Sequence, residues 1–252
     1  GLINFYPMGV HLNNYTAMFQ VKDIPQAFLV TISRTVIGTA TMLLATAVCG
    51  YVMTKNEMWH KKFWYRFLMI TMYFNAGLVP TYTNLLMLGL TDNFMVYIIP
   101  ALVQPYNIIL VKTYIESIPS ELEESAYIDG AGFGTIFLRI IWPLSKPILA
   151  TIAIFGAVGH WNSFTDSIIY MQNTPTLQTL QHRLYTWLTT TSNLGKLFSG
   201  YSGNTAGFIQ QAQNAKVIKY TVSMISVLPI LVVYPFMQRY FEKGIMLGAV
   251  KG

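Results

Sequence analysis

A chain of 252 residues of which 53% are hydrophobic, 14% aromatic and only 10% charged is too poor in charge for a soluble domain, where about a quarter of residues carry charge, and reads as a membrane protein. The net charge of +6 does not point to nucleic acid, because the basic residues lie scattered at the ends of apolar segments instead of forming one aromatic-interleaved patch. The single cysteine, Cys49, sits in an apolar run, which excludes a disulfide framework and a thiolate metal site.

The chain opens at Gly1 without a basic, then apolar, then small-residue leader pattern, and reads as a fragment with a further span upstream. A helix across a hydrocarbon core needs about 20 apolar residues. The first such run is 28–54, rich in Ala, Gly, Thr and Met. A basic and aromatic cluster follows, with Lys55, Trp59, His60, Lys61, Lys62, Phe63, Trp64, Tyr65 and Arg66, as at a cytoplasmic interface. The second span, 67–89, carries Gly77 and Pro80, which predict a kink and an irregular outer half. The third, 94–115, is interrupted by Pro100 and Pro105, tolerable where neighbouring helices satisfy the freed carbonyls. The charged segment 116–146 precedes a fourth span, 147–170, a polar stretch, 171–216, and a last span, 217–241.

Five visible spans place the start outside and the end inside. The basic residues agree: Lys55, Lys61, Lys62, Arg66, Lys112, Arg139, Lys146, Arg239, Lys243 and Lys251 fall on the cytosolic side, against Lys22, Arg34, Arg183, Lys196, Lys216 and Lys219 outside. The stretch 171–216 has little core of its own and is expected to pack on something else or to be mobile.

Between spans three and four, Ser120 with Glu123 reads as a helix start of the capping-box kind. Gly130 is placed to end that helix in a left-handed conformation, and a second helix is expected over 135–141, ending before Pro143. Ser125, Ala126 and Gly130 form a small face that another protein could approach closely, with Glu121, Glu123 and Glu124 at its rim. From local chemistry alone, an ordinary surface hairpin joining two spans fits equally well.

Glu124 and Ala126, then Gly130 after three residues, Ile140 after nine more, and Pro143 resemble the EAA loop of binding-protein-dependent ABC importer permeases. Ser125 stands where that motif has its first alanine and Trp142 where it has leucine. Asn13, Asn14, Tyr15 and Phe19, the run Trp161 to Phe164, and the ending 240–252 look like segments of MalG-type sugar permeases. The long polar stretch and the ending look closest to LplC-type and YtcP-type permeases and to one subunit of the alginate importer.

The resemblance implies an all-α, polytopic membrane helix bundle of the type I ABC importer permease fold, six spans with one upstream of Gly1. It implies a coupling helix seated in a cleft of a cytoplasmic ATPase, with Glu123, Glu124, Ser125, Ala126, Asp129, Gly130 and Pro143 as coupling residues. It further implies a bacterial cytoplasmic-membrane protein that pairs with a second permease subunit, two ATPase subunits and an extracytoplasmic sugar-binding protein, and imports an oligosaccharide released from a polysaccharide.

Polar groups inside spans are costly, so His160, Asn162 and Asp166 call for a cavity or the bundle interior. Asn162 and Asp166 are one helical turn apart; the alternative is an Asp166 simply solvated at the outer interface. Tyr73, Asn75, Tyr82, Asn84, Gln104, Tyr106 and Asn107 are further candidates for a polar, aromatic path, weighed against plain helix packing. Gln178, Gln181, His182, Arg183 and Tyr185 are candidate contacts for a binding protein, weighed against a solvated loop.

No Gly-x-x-x-x-Gly-Lys-Ser/Thr loop is present, so no cofactor is expected in this chain, and ATP and magnesium would be bound by the partner ATPase subunits. His11, His60, His160 and His182 are too dispersed for a zinc site, and no catalytic set is expected. A gradient-driven secondary sugar transporter is the main alternative, although internal repeats of the kind such folds carry are not visible.

Overall fold

The computed structural model describes residues 23–198, 220–221 and 223–235. Asn13, Asn14, Tyr15, Phe19, the far half of the polar stretch and the ending 240–252 lie outside the described residues. Ten helices organise the rest: α1 (Asp23–Thr54), α2 (Lys61–Tyr73), α3 (Leu78–Met87), α4 (Pro105–Ile115), α5 (Glu121–Ile128), α6 (Phe133–Leu144), α7 (Lys146–Asn162), α8 (Thr165–Tyr170), α9 (Leu180–Phe198) and α10 (Ser223–Pro235). No strand occurs among the described residues.

The long helix α1 is the axis of the fold and spans about 48 Å at 1.5 Å per residue. Three of its hydroxyls are satisfied locally: Thr31, Thr35 and Thr41 donate to carbonyls four residues back, at 2.9, 2.7 and 2.8 Å. Two glycines let neighbours reach its backbone. A Cβ on Gly50 would lie 2.7 Å from Val111 of α4, and one on Gly38 would lie 2.6 Å from the His160 ring of α7. These small positions explain why α4 and α7 can pack directly on α1.

One core joins α1, α4, α6 and α7 through Met42, Tyr51, Val111, Ile115, Ile136, Ile141, Leu149 and Ile152. At the other end of α1, Val30 packs with Leu85, Val96, Tyr97, Ile98 and Met171. Beside it, Ile24 meets Leu180 and Ile225. The expectation that the polar stretch packs on something else holds for the start of α9, where Thr31 Oγ1 accepts a hydrogen bond from the Leu180 amide at 2.9 Å.

Among the described residues, α1 is the one unbroken helix long and apolar enough to cross a membrane. Two bent pairs also qualify, 94–101 with α4 (46°) and α6 with α7 (78°). The helix boundaries correct three expectations. The second span is not a kinked helix with an irregular outer half: 74–77 unwinds and 78–87 is helical. Asn75 Oδ1 accepts the Gly77 amide at 2.9 Å, diverting the chain into a turn at Gly77, whose φ is +87°. Pro80 then falls in the first turn of α3, where its missing N–H removes no helical bond.

The fourth span is likewise not continuous, so Asn162 and Asp166 do not share a helix face. In an unbroken helix the Ser167 amide would donate to the Ser163 carbonyl. Here Arg34 Nη1 donates to that carbonyl at 3.1 Å, and the amide donates to Asp166 Oδ1 at 2.9 Å. The carbonyl freed by the break is held by an arginine on a different helix. Arg34 itself, counted with the flanking basic residues, is 2% exposed within α1.

The third correction concerns 135–141, which does not end before Pro143. The helix starts at Phe133, winds as a π-helix over Phe137–Ile141 and continues through Leu144, with Pro143 early in its last turn. Ser120 makes no side-chain cap.

Candidate functional site

Two sites lie at opposite ends of α1. The first is the hairpin of α5 and α6. Helix α5 ends in a left-handed Gly130, φ +79°, with the Ala131 amide donating to the Ala126 carbonyl (2.9 Å) and the Gly130 amide to the Tyr127 carbonyl (3.0 Å). That pair of bonds is the Schellman closure, which asks for glycine at this position. A Cβ on Gly130, Gly132 or Gly134 would meet nothing within 4 Å, so the turn is open to an approaching surface.

The hairpin has two faces. Glu124, Ser125, Asp129, Gly130 and Pro143 are exposed. Ala126 packs against the chain's own core, and Glu123 turns inward to form an ion pair with Lys55. Ile128, not singled out from the sequence, is 87% exposed on the open face. Its signal was there: an isoleucine one turn after Glu124 on a charged helix. Beside it, Tyr127 stacks edge-on against Phe133 at 5.5 Å, and burial holds its phenol above the usual tyrosine range.

The second site is a cavity of about 410 Å³ between α1, α3, the 94–104 segment, α4, α7 and α8. Of the sequence candidates, Gln104, Asn107, His160 and Asp166 line it. Tyr82 stands next to it, stacked on the cavity residue Tyr170 at 6.0 Å. Tyr73, Asn75, Asn84, Tyr106 and Asn162 do not line it and are exposed.

Sequence reasoning missed Arg34, Thr81, Tyr97, Ser163 and Tyr170, which also line the cavity. Asp166 is not simply solvated: both its oxygens receive the Arg34 guanidinium, and Oδ1 also accepts the Ser163 hydroxyl at 3.0 Å. Arg34 lies over the Tyr97 ring, 4.5 Å from its centroid, and the Tyr97 hydroxyl donates to the Leu177 carbonyl at 2.8 Å. A lone arginine in an apolar run was the available signal for this cluster.

With Arg34 matched by Asp166, the wall contributed by this chain carries little net charge. What it offers is amides from Gln104 and Asn107, hydroxyls, the edge of the His160 ring and aromatic surface from Tyr170. Such a wall suits a polyhydroxylated solute, whose hydroxyls need donors and acceptors and whose ring faces stack on aromatic surface.

The five loop candidates are mostly occupied. Gln178 donates to the Met171 carbonyl at 3.3 Å, and Arg183 donates to the Pro175 carbonyl at 3.1 Å. Gln181 is half-buried, whereas Tyr185 is exposed and stacks on Phe164 at 5.1 Å. His182 Nδ1 lies 2.9 Å from Ser167 Oγ, and burial, then the Arg183 charge, lowers its pKa.

A histidine with a folded pKa below its unfolded value makes a contribution that is complete above the unfolded pKa, about 6.5, and is lost as pH falls through and below it. Acidification from pH 7.5 to pH 5 is therefore expected to loosen the start of α9, read as lower amide protection over 180–189 relative to the intrinsic exchange rate at each pH. A His182→Gln variant should lack that pH dependence.

A family model described as binding-protein-dependent transport system inner membrane component matches residues 46–247. The chain is 35% identical to protein LplC of Bacillus subtilis (strain 168) over 247 residues, covering 98% of this chain and 81% of the relative. It is 32% identical to the polygalacturonan/rhamnogalacturonan transport system permease protein YtcP of the same organism, covering 98% and 84%. Among solved structures, a bacterial ABC transporter involved in the import of the acidic polysaccharide alginate superposes with a TM-score of 0.81 at 26% identity, over 96% of this chain and 83% of that one.

Proposed function

Because this chain belongs to the family of binding-protein-dependent transport system inner membrane components, we propose that it is the permease subunit of an ATP-driven importer for oligosaccharides released from a polysaccharide. It is a transport component of a membrane, not itself an enzyme. The relatives named for polygalacturonan and alginate transport support the substrate class, and the polar, aromatic and nearly charge-balanced cavity wall supports passage of sugar rings.

In this reading α1, the α2–α3 pair, the 94–115 segment, the α7–α8 pair and the segment holding α10 cross the cytoplasmic membrane of a bacterium. The hairpin faces the cytosol and the cavity opens toward the outer side. A second permease subunit completes the pathway. Two ATPase subunits bind ATP and magnesium, and an extracytoplasmic binding protein delivers the sugar near the 171–185 segment, where Tyr185 is the exposed candidate contact.

The observation that carries the reading is the open face of the hairpin, closed by a left-handed Gly130 and bearing Glu124, Ser125 and Ile128, all exposed among the described residues. A large exposed apolar side chain between charges is how a docking surface is built. Cysteine placed at Ser125 or Ile128 is expected to cross-link to the ATPase subunit in membranes, and cysteine at the half-buried Ala126 to cross-link poorly. Equal labelling of all three, or no cross-link at any, would count against docking through this face.

A further inference from the structure

Both arms of the hairpin are fastened to one point at the end of α1. The Lys55 ammonium, one residue beyond that helix, pairs with the Glu123 carboxylate of α5, the two side chains keeping 14% and 17% of their surface exposed. The same ammonium lies 4.2 Å from the centroid of the Tyr51 ring. Tyr51 is 5% exposed; its hydroxyl donates to the Phe133 carbonyl at the start of α6 over 3.4 Å, and its ring meets Phe137 at 5.1 Å.

The same helix reaches the cavity. Arg34 lies about 25 Å from Tyr51 along α1 at 1.5 Å per residue, and there it grips Asp166 and the Ser163 carbonyl. No proline interrupts the helix between these points. Apolar contact transmits a push alone. A charge-assisted hydrogen bond also resists separation and fixes direction, so a helix pinned by such bonds at both ends transmits a pull as well.

We propose that α1 is the rod that carries movement of the hairpin to the cavity, with Lys55, Glu123 and Tyr51 as positioning residues at one joint and Arg34 with Asp166 at the other. This rests on the reading of the hairpin as the ATPase-docking element.

The test uses the assembled complex, with its partner permease, ATPase subunits and binding protein, in lipid vesicles, and oligogalacturonate and alginate oligosaccharides as probes. The readout is sugar taken up per ATP hydrolysed. Lys55→Glu and Glu123→Lys are each expected to lower that ratio about tenfold while hydrolysis continues, and the Lys55→Glu/Glu123→Lys double variant to return it to within about twofold of native.

Tyr51→Phe, which keeps the packed ring and loses the bond to Phe133, should give a smaller drop in the same direction. An unchanged ratio in the single variants, or a double variant no better than the singles, overturns the rod. If the ratio is unchanged while Ser125→Cys still cross-links to the ATPase, the rod alone fails; if the cross-link is absent too, the docking reading fails with it.

Discussion

Replacing Asp166 by alanine is expected to destabilise the protein by about 3 to 5 kcal/mol, the cost of leaving a buried guanidinium without its partner. Arg34 is 2% exposed, and Asp166 answers its charge with both carboxylate oxygens. The loss should appear as a lower unfolding temperature of the detergent-solubilised protein and as poor accumulation in membranes.

Arg34→Met in the Asp166→Ala background should recover much of that loss, because removing both charges costs far less than removing one. An Asp166→Ala protein as stable as the native one would show that Arg34 is hydrated and that the pair is not a structural joint. The continuity of 162–166 makes a second check. With Arg34 gone, the Ser163 carbonyl becomes free to accept the Ser167 amide, so amide protection at Ser167 should survive the double substitution.

The second large effect is expected at Gly130. Valine there would have to adopt a left-handed backbone, costing about 1 to 2 kcal/mol for an ordinary side chain and more for a β-branched one. The turn would instead rearrange, breaking the bonds from Ala131 to Ala126 and from Gly130 to Tyr127 and moving Glu124 to Asp129 out of place. ATP hydrolysis stimulated by the loaded binding protein is expected to fall at least about tenfold, consistent with coupling energies of 1 to 3 kcal/mol. Gly132→Ala, at a position with negative φ and open surroundings, should stay within about twofold. Equal loss in both variants would mean that bulk, and not the left-handed turn, is what matters.

How much of this was legible in the sequence differs by residue. The position of Gly130 as a helix end could be read because glycine at that point has a local cause. The first apolar run could be read because length and composition suffice. The break after Asn162 had one local signal, the Ser163-x-x-Asp166 spacing of a helix start, while Arg34, which holds the freed carbonyl, lies 129 positions away from Ser163. The inward turn of Glu123 depends in the same way on Lys55, 68 positions earlier.

The capping reading at Ser120 failed for the opposite reason. The right residue types were present, but Ser120 already has helical backbone angles (φ −64°, ψ −26°), and an N-cap needs an extended conformation to aim its side chain at the free amides. Of the polar residues named for a sugar path, the ones that line the cavity come from the 94–107 and α7–α8 segments. Tyr73, Asn75, Asn84, Tyr106 and Asn162 are exposed outside it, and the break at Ser163 resets the helical phase that the spacing of Asn162 and Asp166 assumed.

The central claim is that ATP hydrolysis on the hairpin side drives sugar through the cavity, and uptake by sealed vesicles containing the assembled complex tests it most directly. With ATP supplied to the hairpin side and loaded binding protein on the other, labelled oligosaccharide should accumulate, and should keep accumulating when ionophores collapse every ion gradient. Accumulation that needs no ATP and stops when the gradients are collapsed would contradict the account and make the chain a gradient-driven carrier.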